Sequence, residues 1–128
     1  MASSAPNKQL AARAAAILTN TEVAATALDL NKTWSSLVSV DLSFTIGSLT
    51  NVIVKFYASP DGTTYKQIAV NGGTLMAETL TASGERCYAV PPLPGWKYFR
   101  VTVTGTGTLT SSSATITYRY LAAGTQGG

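Results

Sequence analysis

The chain has 128 residues, the size of one domain with one core. Apolar residues make up 45% and charged residues only 12%, against about 25% charged in ordinary globular proteins. The net charge of +3 comes from Lys and Arg scattered singly, without the clustered basic stripe of a nucleic-acid binder, so no nucleic-acid partner is expected. With no His and a single Cys, triads built on His, His- or CxxC-type metal sites and an intrachain disulfide are excluded, and no cofactor is expected.

Met1 to Asn7 is small, polar and Pro-containing and reads as a loose arm. In Lys8 to Leu18 the apolar residues Leu10, Ala14, Ile17 and Leu18 fall at helix-like spacing, which predicts a short helical arm. A helix this short is marginal alone in water, so it needs its own sandwich or a neighbouring subunit to pack on. The run Ala14–Leu18 is shorter than the roughly 7–15 apolar residues of a signal-peptide core, and no stretch nears the roughly 20 of a membrane helix. Neither export by a signal peptide nor a membrane partner is expected.

From Val23 onward the pattern is β. Val23 to Leu30 is a first strand. Val38, Val40, Leu42, Phe44 and Ile46 alternate with Ser39, Asp41, Ser43 and Thr45, the period of a half-buried strand. Val52 to Ala58 follows, with Val52, Val54 and Phe56 on one face, and the two segments read as a long hairpin. Ser59-Pro60-Asp61-Gly62 is a turn, since Pro presets φ and Gly accepts φ > 0. Tyr65 to Val70, Thr74 to Leu80 and Arg86 to Val90 are further strands, separated by Asn71-Gly72-Gly73 and Ala82-Ser83-Gly84. Pro91 to Gly95 is a rigid connection. Trp96 to Thr104 sets Phe99, Val101 and Val103 on one face and Tyr98, Arg100 and Thr102 on the other. Gly105-Thr106-Gly107 reads as a turn, and Leu109 to Leu121 closes the domain with Ala114, Ile116, Tyr118 and Tyr120 on one face. The prediction is an all-β protein: a single antiparallel, jelly-roll-like β-sandwich of about eight strands over 21–121, with a helical or extended arm over 1–20 and a Gly-rich tail over 122–128.

Chemistry is scarce. The carboxylates Glu22, Asp29, Asp41, Asp61, Glu78 and Glu85 are spread along the chain, and nothing pairs two of them as a glycosidase requires. Gly105-Thr106-Gly107 lacks the following helix of a phosphate loop. An enzyme is therefore not expected. Cys87 reads as a small buried hydrophobe. Tyr57, Tyr65, Tyr98, Tyr118 and Trp96 lie in or beside strands, where exposed rings can stack on sugars. Trp96 and Tyr98 are the candidates for a glycan partner, while Trp34 and Trp96 border strands, where a Trp commonly plugs the end of a core. Ser and Thr, rather than charges, supply the polar surface, and hydroxyls are cheaper to desolvate in a protein contact than Lys or Glu. The arm residues Lys8, Leu10, Arg13, Ile17 and Leu18 are the candidates for an assembly contact, and open sheet edges give a further reason to assemble.

Phe56-Tyr57-Ala58-Ser59-Pro60-Asp61-Gly62-Thr63-Thr64-Tyr65 resembles the strand, S-x-DG-T-x-aromatic, strand hairpin of small β-sandwich proteins in tailed-phage virions. Gly95-Trp96-Lys97-Tyr98-Phe99-Arg100-Val101 resembles the strand that follows in those proteins, and Ala27-Leu28-Asp29-Leu30 and Gly107-Thr108-Leu109-Thr110 fit the same layout. The resemblance spans Leu28 to Tyr120. It implies a virion structural protein assembled in host cytoplasm, above all a capsid decoration, or cement, protein. Such proteins are often homotrimers seated on a shell of major capsid protein. A tail, neck or fibre-base component is the nearest alternative, and a carbohydrate-binding module lies further off.

Overall fold

The computed structural model describes residues 7–70, 73–107 and 112–122, with the backbone alone at 34–36. Two antiparallel sheets face each other across one core. The first, sheet A, has the order β1 (Asn7–Ala16), β12 (Ser113–Ala122), β4 (Thr33–Thr45), β10 (Gly84–Val90). In the second, sheet B, β11 (Tyr98–Gly107) and β5 (Leu49–Ser59) form the centre. The short strands β2 (Val23–Ala24) and β3 (Leu28–Asp29) border β11; β6 (Lys66–Gln67) and β9 (Ala77–Leu80) border β5. A separate two-stranded hairpin joins β7 (Ala69–Val70) to β8 (Thr74–Leu75). The antiparallel sandwich of the sequence reading is present.

The strands number twelve among the described residues, more than the eight expected, because two sheet positions are interrupted. On the edge beside β5, Ile68 N–H donates to Phe56 O at 2.9 Å and Phe56 N–H donates to Met76 O at 3.3 Å. The β7–β8 hairpin is thus an excursion from one edge line running from β6 to β9. On the other edge the register with β11 shifts by one residue between β2 and β3. The ladder gap left at Val101 is filled from across the core, where Val101 N–H donates to the Tyr118 hydroxyl at 3.1 Å. Taking each interrupted line as one strand, the chain visits eight positions in the orders 1-8-3-6 and 2-7-4-5, the winding of a jelly roll.

Three local readings are corrected. The helix expected over Lys8–Leu18 does not form: Asn7–Ala16 is a strand paired with β12, with register shifts either side of Arg13. An isolated short helix gains little in water, whereas pairing satisfies the open donors and acceptors of β12. β4 and β5 are not a hairpin. The chain crosses from sheet A to sheet B at a turn where Leu49 N–H donates to Ile46 O at 3.0 Å and Gly47 has φ 57°. Crossing lets both alternating strands bury their apolar faces against each other rather than side by side. Gly105-Thr106-Gly107 is not a turn but the end of β11. A Cβ at Gly105 would stand 3.1 Å from Leu49 and 3.2 Å from Leu18, so close packing explains this glycine.

The core follows the predicted alternation. Val38, Val40, Leu42 and Phe44 from β4 and Ala114, Ile116 and Tyr118 from β12 meet Val52, Val54 and Phe56 from β5 and Phe99, Val101 and Val103 from β11. Edge-to-face ring pairs join the sheets: Phe99 with Tyr118 at 5.3 Å between centroids, and Phe56 with Tyr88 at 4.9 Å. Cys87, expected inside, is exposed. It sits opposite Asp41 in the β10–β4 register, on the outward-facing set of β10 with Glu85 and Ala89.

Candidate functional site

Each sheet buries one face, which leaves the two outer faces open to a partner. On sheet A the register aligns Gln9, Arg119, Ser39 and Ala89 in one row across all four strands. The next row is Ala11, Thr117, Asp41 and Cys87, followed by Thr115, Ser43 and Glu85, then Ser113 and Thr45. Six of these thirteen positions carry Ser or Thr hydroxyls, and three carry a charge. Of the face's charges, Arg119 and Asp41 are tied up laterally, Arg119 donating to Gln9 Oε1 at 2.8 Å and to Asp41 Oδ2 at 3.0 Å and so linking β1, β12 and β4, while Glu85 on β10 stands outside that pair. One end is hollowed into a shallow depression of about 700 Å³ bordered by Asn7, Leu37, Ala89, Arg119 and Leu121.

The arm residues are split by the fold. Lys8 and Ile17 are exposed, Ile17 at 60%. Leu10 is half-buried against the core. Arg13 is turned back onto its own chain, donating to the carbonyls of Ala114 at 3.1 Å, Ala16 at 3.1 Å and Ile17 at 3.2 Å; burial pulls its pKa down. Leu18 is only 1% exposed and its N–H donates to Ser112 Oγ, so it belongs to the chain's own core. The far edge of β1 is partly covered, since Thr26 N–H donates to Ala12 O.

The aromatic candidates are also redistributed. Trp96 packs half-buried against the core, and Tyr118 is wholly inside it. The side chain of Trp34 lies outside the described residues. Tyr98 is half-buried with its ring against Gly62, where a Cβ would stand 3.0 Å away; φ of +85° there independently requires glycine. The turn Ser59–Gly62 is a self-contained hydrogen-bonded unit. Ser59 Oγ accepts from the N–H groups of Asp61 and Gly62, and Asp61 Oδ1 accepts from those of Thr64 and Thr63. These two N–H groups hold the Asp61 carboxyl below its usual pKa. The S-x-DG-T signature is thus accounted for by the fold itself.

What the structure does assemble on the outer face of sheet B is a polar and aromatic hollow of about 270 Å³ lined by Glu22, Ala24, Tyr57, Tyr65, Arg100 and Thr102. Glu22 Oε2 accepts from the Tyr57 hydroxyl at 2.7 Å and from Thr102 Oγ1 at 2.5 Å. These bonds, Thr102 first, hold the Glu22 carboxyl below its usual pKa, while burial and then Glu22 push Tyr57 up to about 12. The Arg100 guanidinium lies over the Tyr65 ring, 3.7 Å from its centroid. The alternation of β11 already put Arg100 and Thr102 on one face, and Tyr57 and Tyr65 were visible as strand-associated rings. The sequence carried no signal that β2 would lie beside β11 and bring Glu22 to them.

No protein-family model matches the chain, and no curated protein matches it. Solved structures share its fold at low identity. An endospore appendage of Bacillus, described as a disulfide-linked pilus, is 14% identical with TM-score 0.53, covering 91% of this chain and 88% of its own. The SPBc2 prophage-derived protein YomS is 14% identical with TM-score 0.54, covering 91% and 94%. A structure of infectious bursal disease virus, Gx strain, is 11% identical with TM-score 0.53; it covers 96% of this chain, which spans only 32% of that one.

Proposed function

We propose that the chain is a non-enzymatic structural subunit of a virion, and within that class a capsid decoration protein that binds and stabilises a phage head. The observation that carries the reading is the outer face of sheet A. It is a four-strand surface presenting Ser39, Ser43, Thr45, Ser113, Thr115 and Thr117, whose charged pair Arg119–Asp41 is already neutralised within the face. Burying such a face against another protein leaves Glu85 as the one charge, among the described residues of the face, that the partner must meet, and hydroxyls find partners at low cost. The jelly-roll winding recurs in capsid domains, and the fold is shared with a prophage-derived protein and a virus particle structure. Fold alone does not fix function, so the face is what the proposal rests on. The partners are a second copy, as a homotrimer, and the major capsid protein.

The test is sedimentation of the purified chain alone and with capsid shells. The expected result is a stable oligomer that pellets with shells, and a Thr117→Lys variant that melts normally yet binds shells about tenfold or more weakly. A wild-type monomer that leaves shells unbound would sink the reading.

A further inference from the structure

The hollow on sheet B lies on the opposite side of the sandwich from the proposed docking face, and its electrostatics are unusual. Glu22 and Arg100 carry opposite charges and line the same small space without pairing. Among the described residues the ion pairs within 4.0 Å are Arg86–Glu78 and Arg119–Asp41. Each group is held by other partners. Tyr57 and Thr102 fix the carboxylate, and the Tyr65 ring fixes the guanidinium. Arg100 Nε is buried and has no hydrogen-bond partner. That unpaired donor is a cost to the fold, and Arg100 also borders the hollow, where an acceptor would gain a charge-assisted hydrogen bond from its guanidinium.

The chemistry of that acceptor is constrained. An anion would satisfy Arg100 but face the Glu22 carboxylate. A cation would satisfy Glu22 but face Arg100, with Lys55 also acting on Glu22. A hydroxyl meets both demands, because its oxygen accepts from the guanidinium while its O–H donates to the carboxylate. Two hydroxyls on adjacent carbons bridge the two groups at once. Tyr57 and Tyr65 add aromatic lining, the Tyr65 ring carrying Arg100 on one face, and about 270 Å³ is room for one pyranose ring. We propose that this hollow binds a neutral, vicinally hydroxylated sugar ring, with Arg100 donating, Glu22 accepting, and Tyr57 and Tyr65 forming the walls. The site differs from Trp96 and Tyr98, the rings that sequence alone puts forward for sugar stacking. It also goes beyond the assembly role.

The probes are methyl α-glucopyranoside, methyl α-mannopyranoside and methyl β-galactopyranoside, titrated separately into the full chain and followed by amide chemical shifts, with inorganic phosphate and acetate as separate arms. At least one glycoside is expected to give saturating shifts confined to the backbone around Glu22, Tyr57, Tyr65, Arg100 and Thr102. Loss of one charged hydrogen bond predicts binding about tenfold or more weaker in Glu22→Gln and in Arg100→Lys. Thr117→Lys, on the other face, should bind the glycoside as the wild type does, which separates this proposal from the assembly reading. If Arg100→Lys fails to fold, the near-isosteric Glu22→Gln decides. Absence of shifts with every glycoside, shifts with phosphate or acetate alone, or glycoside binding untouched by Glu22→Gln would each overturn the proposal.

Discussion

Two long antiparallel ladders, β5 with β11 and β1 with β12, look alike as hydrogen-bonded ribbons, but β1 buries far less than the other three strands. β5 hides Leu49, Val52, Val54, Phe56, Ala58 and Ser59, and β11 hides Phe99, Val101, Thr102, Val103 and Gly105. β1, ten residues long, buries Ala12 alone, with Leu10 and Arg13 half-covered. Ladder bonds largely exchange one hydrogen-bond partner for another, and each nets only about 1 kcal/mol. β12 buries Ala114, Ile116 and Tyr118, so side-chain burial is what sets β1 apart from the other three strands. β5–β11 is the pillar of the fold, and β1 is a cover that satisfies the open edge of β12.

That contrast can be broken at three points. Phe99→Ala, at the centre of the pillar and in ring contact with Tyr118, should lower unfolding stability by about 3–5 kcal/mol in a denaturant titration. Tyr118→Phe leaves the ring packing intact but strips the acceptor from Val101 N–H, and should cost about 1–3 kcal/mol. That loss would show that a single hydroxyl repairs the gap between β2 and β3. Leu10→Ala, on the cover strand, should cost about 1 kcal/mol or less. A loss at Leu10 equal to that at Phe99 would mean that β1 is structural in the same sense as β11.

Much of the core was legible because alternation is a local property. A strand such as Val38–Ile46 declares its two faces wherever it is placed, and 38, 40, 42 and 44 do point inward. The turn at Ser59–Gly62 was legible for a similar reason, since its hydrogen bonds close within a few residues. The arm misled because Leu10, Ala14, Ile17 and Leu18 satisfy a helical template, while the competing interest, the unpaired edge of β12, lies about a hundred residues away in sequence. Cys87 misled because a short edge strand presents its two faces unequally: Glu85, Cys87 and Ala89 face out while Tyr88 and Val90 face in.

The residues of the candidate sites divide along the same line. Arg100 and Thr102 were placed together by two-residue spacing, and the hydroxyl-rich character of the surface followed from composition. Glu22 joined Arg100 only because β2 pairs with β11, and Gln9, Arg119 and Asp41 met only through the β1–β12–β4 register.

By itself, then, the sequence determined that this is a β-protein, which side of β4, β5, β11 and β12 is apolar, and that a turn lies at Ser59–Gly62, since those depend on spacing over a few residues. Which strands became neighbours, which sheet each entered, and hence which side chains share a face were decided only in the tertiary structure. There the energy comes from contacts between segments far apart along the chain, and no local pattern encodes them.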